Sequence, residues 1–243
     1  MNLSHVLRED PELAEAIPPA HRAHAAEECV AATRSVKRGR WQPEDVAAEW
    51  VGPGGIGLIV LEGLLVRRVG VDDRFGAELL GEGDLLRPWQ DGSANPTLSR
   101  TSGWRVLEPS RLAILDATVA ASMAAYPQLT GRLVARALER SRNLAINMAI
   151  IHQSRVNTRL QMLLWHLADR WGRVRSDGVV LPLHLTHSVL ADLVAARRPT
   201  VTSALSELAR QELVTPRDPG WLLHGEPPGE LLKIQAIRIA AND

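Results

Sequence analysis

The chain has 243 residues, enough for one large domain or two modest ones, and its 45% hydrophobic and 23% charged residues are ordinary for a globular protein. Basic and acidic residues number 28 each, so the whole molecule lacks the positive excess that DNA phosphates reward, although a local cluster remains compatible with this balance. The single cysteine, Cys29, excludes an internal disulfide, a thiolate zinc cage and a cysteine-ligated iron–sulfur cluster.

The same features predict where the protein works. No apolar run is long enough to span a bilayer, and the segment Met1 to His5 lacks the basic-then-apolar order of a signal peptide. A chain with one thiol suits a reducing compartment. We therefore expect a cytoplasmic protein with no membrane partner.

The first half of the chain predicts helices followed by strands. Residues up to about Thr33 are rich in alanine and indicate helices, with a break at Pro18-Pro19. From Val51 onward, leucine-rich and β-branched runs alternate with turn signals, such as those at Gly52 to Gly55 and Gly81 to Asp84. Short apolar runs between regular turns predict a small antiparallel sandwich or barrel.

A long helical pattern follows Pro109. No glycine or proline interrupts Arg132 to Trp171, and apolar residues recur at helical spacing. This stripe comprises Leu129, Leu133, Ala137, Leu138, Leu144, Ala145 and Met148. A helix of this length needs a partner for its apolar stripe, and two arrangements remain open. The helix pairs with a second copy of itself, or it packs within its own domain.

Two compact helices near the C-terminus form the most informative motif. The first has N-cap candidates in Thr186 and Ser188 and an apolar face that includes Leu190 and Leu193. Ala195-Ala196 supplies small residues for a tight turn. The second helix opens with Arg197, Arg198, Pro199 and Thr200, and its buried face is formed by Val201, Leu205 and Leu208. Proline suits the first turn of a helix, because its missing N–H has no partner there.

The exposed N-terminal end of the second helix predicts DNA recognition. It presents Arg197, Arg198, Thr200, Thr202 and Ser203. Arginine can donate two hydrogen bonds to guanine, and threonine or serine can contact a base edge or a phosphate. Leu213-Val214 and Trp221 to Leu223 then predict two strands of a wing around a proline- and glycine-rich turn. The alternative is a plain helical hairpin with solvated arginines.

With these motifs the sequence resembles the Crp/Fnr family of bacterial transcription regulators over nearly its whole length. Leu183 to Val214 is similar to the family's helix-turn-helix signature, and Arg155 to Leu160 resembles the start of its DNA-binding domain. The resemblance implies an α+β fold in three parts. An N-terminal double-stranded β-helix, the cyclic-nucleotide-binding-like β-roll, spans residues 1–125; a long dimerisation helix spans residues 126–154; a C-terminal winged helix-turn-helix spans residues 155–243.

The resemblance also implies the function. We expect a homodimer that reads a palindromic operator in double-stranded DNA, with RNA polymerase as a further partner and a hinge near Ser154-Arg155. The implied DNA-binding residues are Thr186, His187, Arg197, Arg198, Thr200, Thr202 and Ser203. Arg198 matches the first arginine of the family's recognition helix, and His187 falls at a frequent phosphate-contacting position. Pro199 and Ser203 replace a glutamate and a second arginine of the best-known members, so their half-site is not expected here.

The effector site departs further from the family's pattern. Gly83-Asp84 matches the start of its nucleotide cassette, but Arg87-Pro88 replaces the Gly-Glu pair whose glutamate accepts the ribose hydroxyl. Arg100-Thr101 matches the phosphate-binding pair. The resemblance therefore implies an effector site with Arg87, Arg100 and Thr101, in which cyclic AMP is disfavoured and the effector stays unknown.

Other candidate sites have simpler explanations. His21, His24, Glu28 and Cys29 offer the ligand types of a metal site, but they suit a solvated helix surface better. Trp41, Trp50, Trp89 and Trp104 line an apolar effector pocket or, as we favour, pack in the core.

Two alternative functions remain open. No arrangement of serine and histidine residues suggests a nucleophile and its base, so we expect no enzymatic activity. The first alternative is a small-molecule-binding β-barrel protein whose C-terminal helices only mediate association. The second is a ligand-independent regulator whose N-terminal domain only supports the dimer.

Overall fold

The computed structural model describes residues 2–71, 74–89 and 100–229, without the side chains of residues 44–47, 74 and 100. The chain divides into two compact units, Met1–Leu144 and Ala145–Asp243. The division falls within a long helix, Pro127–Ile151.

The first unit combines short helices with an antiparallel sheet. Its helices are α1 (Val6–Glu9), α2 (Pro11–Glu15), α3 (Pro19–Glu28), α4 (Glu44–Val51), α5 (Ala117–Ala124) and α6 (Pro127–Ile151), which continues into the second unit. Its strands are β1 (Asn2–His5), β2 (Val30–Val36), β3 (Gly39–Trp41), β4 (Gly57–Val71), β5 (Arg74–Leu80), β6 (Leu85–Leu86) and β7 (Arg100–Leu115).

Two long strands, β4 and β7, organise this sheet. The strand order is β1-β2-β7-β4-β5, with β3 paired to β7 and β6 paired to β4. The β4–β7 ladder shifts its register between Val60 and Leu65, where irregular pairing bends a strand. Gly63 lies in this stretch with φ +101°, and a Cβ there would approach the Pro109 carbonyl oxygen to 2.6 Å. The strand-rich antiparallel fold predicted from the turn spacing is confirmed.

The prediction of helix up to Thr33 is wrong at two places. Asn2–His5 and Val30–Val36 are strands, and they pair with each other from Asn2↔Thr33 to His5↔Val30. β2 also pairs with β7, so it lies inside the sheet with neighbours on both sides. Pairing with two strands outweighs the helical preference of its alanines, because helix propensity is a weak prior that tertiary contacts override.

The tryptophans pack around the core of the sheet. Trp104 is 4% exposed and belongs to a cluster of buried residues from α4, β2, β4, β5, β6 and β7. Trp41 meets it edge to face, with 5.8 Å between ring centroids and 78° between ring planes. Trp50 and Trp89 are partly buried against the same cluster. These contacts support core packing as the role of the four side chains.

Helix α6 presents its apolar residues on two different faces. Leu129 and Leu133 are buried in a core cluster of the first unit, together with Val119 and Met123 of α5. By contrast, Val134, Leu138, Leu144 and Met148 are exposed. The prediction of one continuous stripe that pairs two subunits is therefore wrong for Leu129 and Leu133. At about 100° per residue, Val134 and Leu138 lie about 100° and 140° around the helix from Leu133, whereas Leu144 lies only about 20° from it.

Arginines attach α6 to the rest of the first unit. Arg136 donates to both carboxylate oxygens of Asp10, at 2.5 and 2.8 Å. One turn later, Arg140 donates to both carboxylate oxygens of Glu78, at 2.5 and 3.0 Å. Both arginines are largely covered, so these ion pairs are mostly shielded from solvent. None of the described helices is both long enough and apolar enough to cross a membrane.

The second unit contains the remaining elements. They are α7 (Val156–Trp171), β8 (Arg173–Arg175), β9 (Gly178–Leu181), α8 (His187–Leu193), α9 (Arg198–Arg210), β10 (Val214–Pro216) and β11 (Trp221–Leu223). The strands form an antiparallel sheet in the order β10-β11-β9-β8. α7 packs against α9 and β9, and α8 packs against α9. The uninterrupted helical pattern of the sequence is broken after Ile151, and a new helix begins at Val156.

The buried position of Cys29 predicts low thiol reactivity. The side chain is 1% exposed, and desolvation, with a smaller contribution from Glu28, raises the pKa of its thiol to about 11. At pH 8 only about one Cys29 side chain in a thousand is then in the thiolate form, which is the form that attacks a reagent. We expect a thiol-specific reagent such as DTNB to label the native protein hardly at all at pH 8 and to label it stoichiometrically in denaturant. Rapid labelling of the native protein would contradict this burial.

Candidate nucleic-acid interface

Helix α8 begins as its sequence predicts. Thr186 is the N-cap residue in extended backbone, and its hydroxyl oxygen accepts a hydrogen bond from the amide of Val189, at 3.3 Å. Val189, Leu190 and Leu193 are buried, which confirms the predicted apolar face. Because Thr186 caps the helix, its position relative to the first turn of α8 is fixed.

A four-residue turn, residues 194–197, connects α8 to α9. Ala195 has φ +50°, a left-handed conformation that a small residue tolerates better than a bulky one. The amide of Ala196 donates to the carbonyl of Ala191 at 2.9 Å and so closes the end of α8. The turn that the two alanines predict is therefore confirmed.

Helix α9 exposes the residues that the sequence assigns to DNA. Its buried face consists of Val201, Ala204, Leu205 and Leu208. The exposed positions at its N-terminal end are Arg197, Arg198, Pro199, Thr200, Thr202 and Ser203. Arg197 is the N-cap and makes no capping hydrogen bond with its side chain, so its guanidinium is not used to hold the helix. Proline lies in the first turn, where it was predicted.

A hydrogen-bond chain joins the beginnings of the two helices. The hydroxyl of Thr202 donates to the carbonyl of Arg198 at 3.1 Å, and His187 Nδ1 lies 2.9 Å from the same hydroxyl oxygen. Because the threonine proton is used on Arg198, the imidazole is the donor in this contact. The structure thus brings His187, the first residue of α8, next to the recognition-helix candidate.

A short hairpin follows α9. β10 and β11 pair from Val214↔Leu223 to Pro216↔Trp221, which confirms the predicted wing strands. The amide of Arg217 donates to the carbonyl of Gly220 across the turn, at 2.9 Å. Arg217 also donates to Asp177, between β8 and β9, at 3.3 Å. Arg217 is exposed, so the guanidinium group lies at the solvent-facing tip of the hairpin.

Gly220 allows a testable prediction about this hairpin. It has φ +92°, and a Cβ there would overlap the carbonyl oxygen of Leu181 and lie 2.9 Å from the amide nitrogen of Leu183. We expect Gly220→Ala to destabilise the second unit by about 1–3 kcal/mol, measured by chemical denaturation. Gly225→Ala is the control, because Gly225 has φ +72° and a Cβ added to it would have no atom within 4 Å. Equal destabilisation by both substitutions would mean that the clash with Leu181 has no effect.

The structure describes the side chains of two of the three predicted effector residues, Arg87 and Thr101. Arg87 is exposed, and its guanidinium carbon lies 5.5 Å from the ring centroid of Trp89. Thr101 is exposed near the start of β7. The side chain of Arg100 lies outside the described side chains. Asp84 is buried and accepts a hydrogen bond from the amide of Gly81 at 2.8 Å, so this part of the cassette holds a turn.

The histidines of α3 do not gather a set of metal ligands. His24 Nε2 lies 3.3 Å from Glu28, whose other carboxylate oxygen accepts from the Tyr126 hydroxyl at 2.7 Å. Cys29 is buried with a protonated thiol. Across residues 2–71, 74–89 and 100–229, no group of three His, Cys, Asp or Glu side chains could hold a metal ion.

Sequence reasoning missed one residue that contacts the turn before α9. Arg159 of α7 donates hydrogen bonds to backbone carbonyls there, at 3.2 and 3.3 Å. A contact to backbone carbonyls places no demand on the type of the accepting residue, so the sequence carries no paired signal for it. Arg159 lies in the Arg155 to Leu160 segment that resembles the start of a DNA-binding domain, and this was the available hint.

Comparison with known proteins agrees with this arrangement. The family model of the Crp-like helix-turn-helix domain matches residues 158–224. The protein ycf28 of Porphyra purpurea, described as an HTH-type transcriptional regulator, is 27% identical over 77 residues. The match covers 32% of either chain, so this chain spans about a third of the length of that curated relative.

Solved structures extend the likeness to most of the chain. A cyclic nucleotide-binding domain containing protein from Listeria monocytogenes has a TM-score of 0.60 and 18% identity, over 88% of this chain and 96% of that one. A transcriptional regulator of the CRP family from Thermus thermophilus has a TM-score of 0.53 and 17% identity, over 79% and 92%. At these identities the likeness establishes the fold. Residues 158–224 therefore form a Crp-like helix-turn-helix domain, in a chain that has the fold of the Crp/Fnr regulators.

Proposed function

We propose that this protein is a sequence-specific DNA-binding transcription regulator that works as a homodimer on a palindromic operator. One observation carries the proposal. The N-terminal end of α9 exposes two arginines and three hydroxyl side chains, while its opposite face is fully used in packing. A helix with one packed face and an exposed N-terminal end suits the major groove, where the N-terminal residues of a recognition helix contact base edges.

Each exposed residue has a distinct role in this proposal. Arg198 reads guanine by two hydrogen bonds, and Arg197 at the N-cap contacts phosphate or a second base. Thr200, Thr202 and Ser203 contact base edges or phosphates. Thr186 and His187, at the start of α8, contact the phosphate backbone, which fixes the register of the helix on the duplex.

The exposed face of α6 supports the homodimer. Val134, Leu138, Ser141, Ala145 and Met148 follow one another at intervals of four, three, four and three residues. This heptad spacing is typical of a helix that pairs with a second helix along its length. Leu138 and Met148 are 57% and 60% exposed in the single chain, so a partner helix would remove substantial apolar surface from water.

Selection from a random duplex pool tests the function directly. We expect the protein to enrich an inverted repeat whose half-sites lie one helical turn apart, about 34 Å centre to centre. The repeat follows from the two-fold symmetry of the dimer. Enrichment of no sequence, or of a single half-site without its inverted copy, would count against the proposal.

Control by a ligand is the finer part of the proposal. A site on the N-terminal roll would include Arg87, Arg100 and Thr101, where the arginines supply positive charge for an anionic effector and Thr101 supplies a hydroxyl, without a glutamate for ribose. Thermal-shift screening with nucleotides and anionic metabolites tests it. A reproducible rise in Tm that is lost in Arg87→Ala supports a ligand-controlled regulator, and no stabilising ligand favours the ligand-independent one.

Two further aspects rest on the family resemblance. We propose RNA polymerase as a partner at the promoter and the cytoplasm as the site of action. Pull-down of polymerase by the operator-bound protein, against the same operator without protein, tests the first. Fractionation of cells tests the second.

A further inference from the structure

The guanidinium of Arg159 contacts two segments that are far apart in the sequence. Its Nε donates to the carbonyl of Gln153 at 2.6 Å. Its Nη1 donates to the carbonyls of Val194 and Ala195 at 3.2 and 3.3 Å. All these residues belong to the second unit. One side chain therefore spans 35 or 36 residues of sequence to join two pieces of backbone.

Both segments are connections between helices. Gln153 lies in residues 152–155, between the end of α6 and the start of α7, and its amide donates to the carbonyl of Ile150 at 3.1 Å. Val194 and Ala195 form the turn between α8 and α9. The N-cap of α9, Arg197, follows two residues after Ala195. Arg159 therefore connects residues 152–155, the linker between α6 and α7, to the turn that sets where α9 begins.

The chemistry of this link makes it charge-assisted and directional. Carbonyls at helix C-terminal ends carry partial negative charge, and both segments follow such ends. Arginine keeps its charge at every accessible pH, and its planar fork fixes the directions of its donors. The side chain is half-buried on α7, a helix that packs directly against α9. A shift of about 1 Å in either segment would break these hydrogen bonds, since they weaken steeply with distance and angle.

We propose that Arg159 is a positioning residue that makes the orientation of α9 depend on the conformation of the 152–155 linker. The importance of this link for DNA rests on the proposed function, since it matters there only if α9 reads the operator. The link itself is a property of the second unit and can be measured without DNA. A movement of the linker would thereby reach the recognition helix through one guanidinium.

Hydrogen exchange of the intact 243-residue chain, without DNA, tests the link. Arg159→Gln removes the charge and the fork, and Arg159→Lys keeps the charge but replaces the fork by a single ammonium. In both variants we expect faster exchange at the amides of Gln153 and Ala196 together, with the amides in the middle of α7 and α9 unchanged. Faster exchange in one segment alone, or across the whole second unit, would overturn the proposal in favour of a local or a general structural role.

Operator affinity provides the second readout. We expect both variants to bind the selected operator about tenfold more weakly, while affinity for unrelated duplex changes less than about twofold. Arg170→Gln is the matched control, an exposed arginine near the end of the same helix with the same change of charge. Unchanged operator affinity in Arg159→Gln would overturn the positioning role. If the wild-type protein selects no operator, the proposed function fails, and the exchange experiment still decides whether Arg159 couples the two segments.

Discussion

Replacing Arg198 by alanine is expected to weaken binding to the selected operator by about 1–3 kcal/mol, which is about 5- to 150-fold in Kd. Arg198 is the first residue of α9 and is exposed, and no helix-capping role depends on its side chain. If its two donors meet a guanine, the loss falls on sequences that carry this guanine. Binding to unrelated duplex loses at most one phosphate contact per subunit, so it changes little.

Fluorescence anisotropy at one fixed salt concentration measures both affinities. Arg210→Ala is the matched control, because Arg210 lies in the last turn of the same helix and pairs with Glu207. Its loss removes the same charge from α9 at the end that lies away from the groove in the proposed arrangement. If Arg198→Ala lowered the two affinities equally, Arg198 would be a phosphate contact, and the specificity would have to reside in other residues of the helix.

The helix-turn-helix could be predicted from the sequence because its signals are local. Thr186 lies three residues before the amide that it caps, and Pro199 lies in the first turn of α9, where proline has a steric advantage. The buried residues Val201, Leu205 and Leu208 repeat at helical spacing within one element. None of these signals depends on a distant part of the chain.

The N-terminal sheet was predicted less well because its pairing is long-range. β2 is a strand since it lies between β1 and β7, and β7 begins more than 60 residues later. A window of sequence around Val30 contains alanines and no sign of these neighbours. The glycines of β4 suggest several short strands, whereas β4 is one strand of 15 residues with an irregular register near Gly63.

The apolar residues of α6 illustrate a different limit. Periodicity identifies which apolar residues share a helix face. It does not show whether that face is buried within the same chain or against a partner chain, because both kinds of burial produce the same pattern. Leu133 and Leu138 both belong to the predicted stripe, yet Leu133 is in the core and Leu138 is exposed. The structure separates the two sets, since Arg136 and Arg140 fix which side of the helix faces the rest of the first unit.

Replacing Leu138 by lysine is expected to convert the dimer to a monomer at micromolar concentration. Leu138 is 57% exposed in the single chain and lies on the heptad face of α6, so its substitution leaves the core intact. Burying a leucine stabilises by about 1.5–3 kcal/mol, and two copies meet at the symmetric interface, so the dimer Kd should rise at least about 100-fold. Operator binding should fall with it, because a monomer contacts one half-site.

Sedimentation velocity measures the association, and thermal denaturation confirms that the variant is folded. Glu139→Gln is the control, since it changes the net charge by the same amount and lies about 100° further around the helix. Lysine at position 138 adds positive charge, so lost DNA binding cannot result from repulsion of phosphates. A Leu138→Lys protein that stayed dimeric would place the interface elsewhere, and a monomeric one with native operator affinity would remove the need for symmetry.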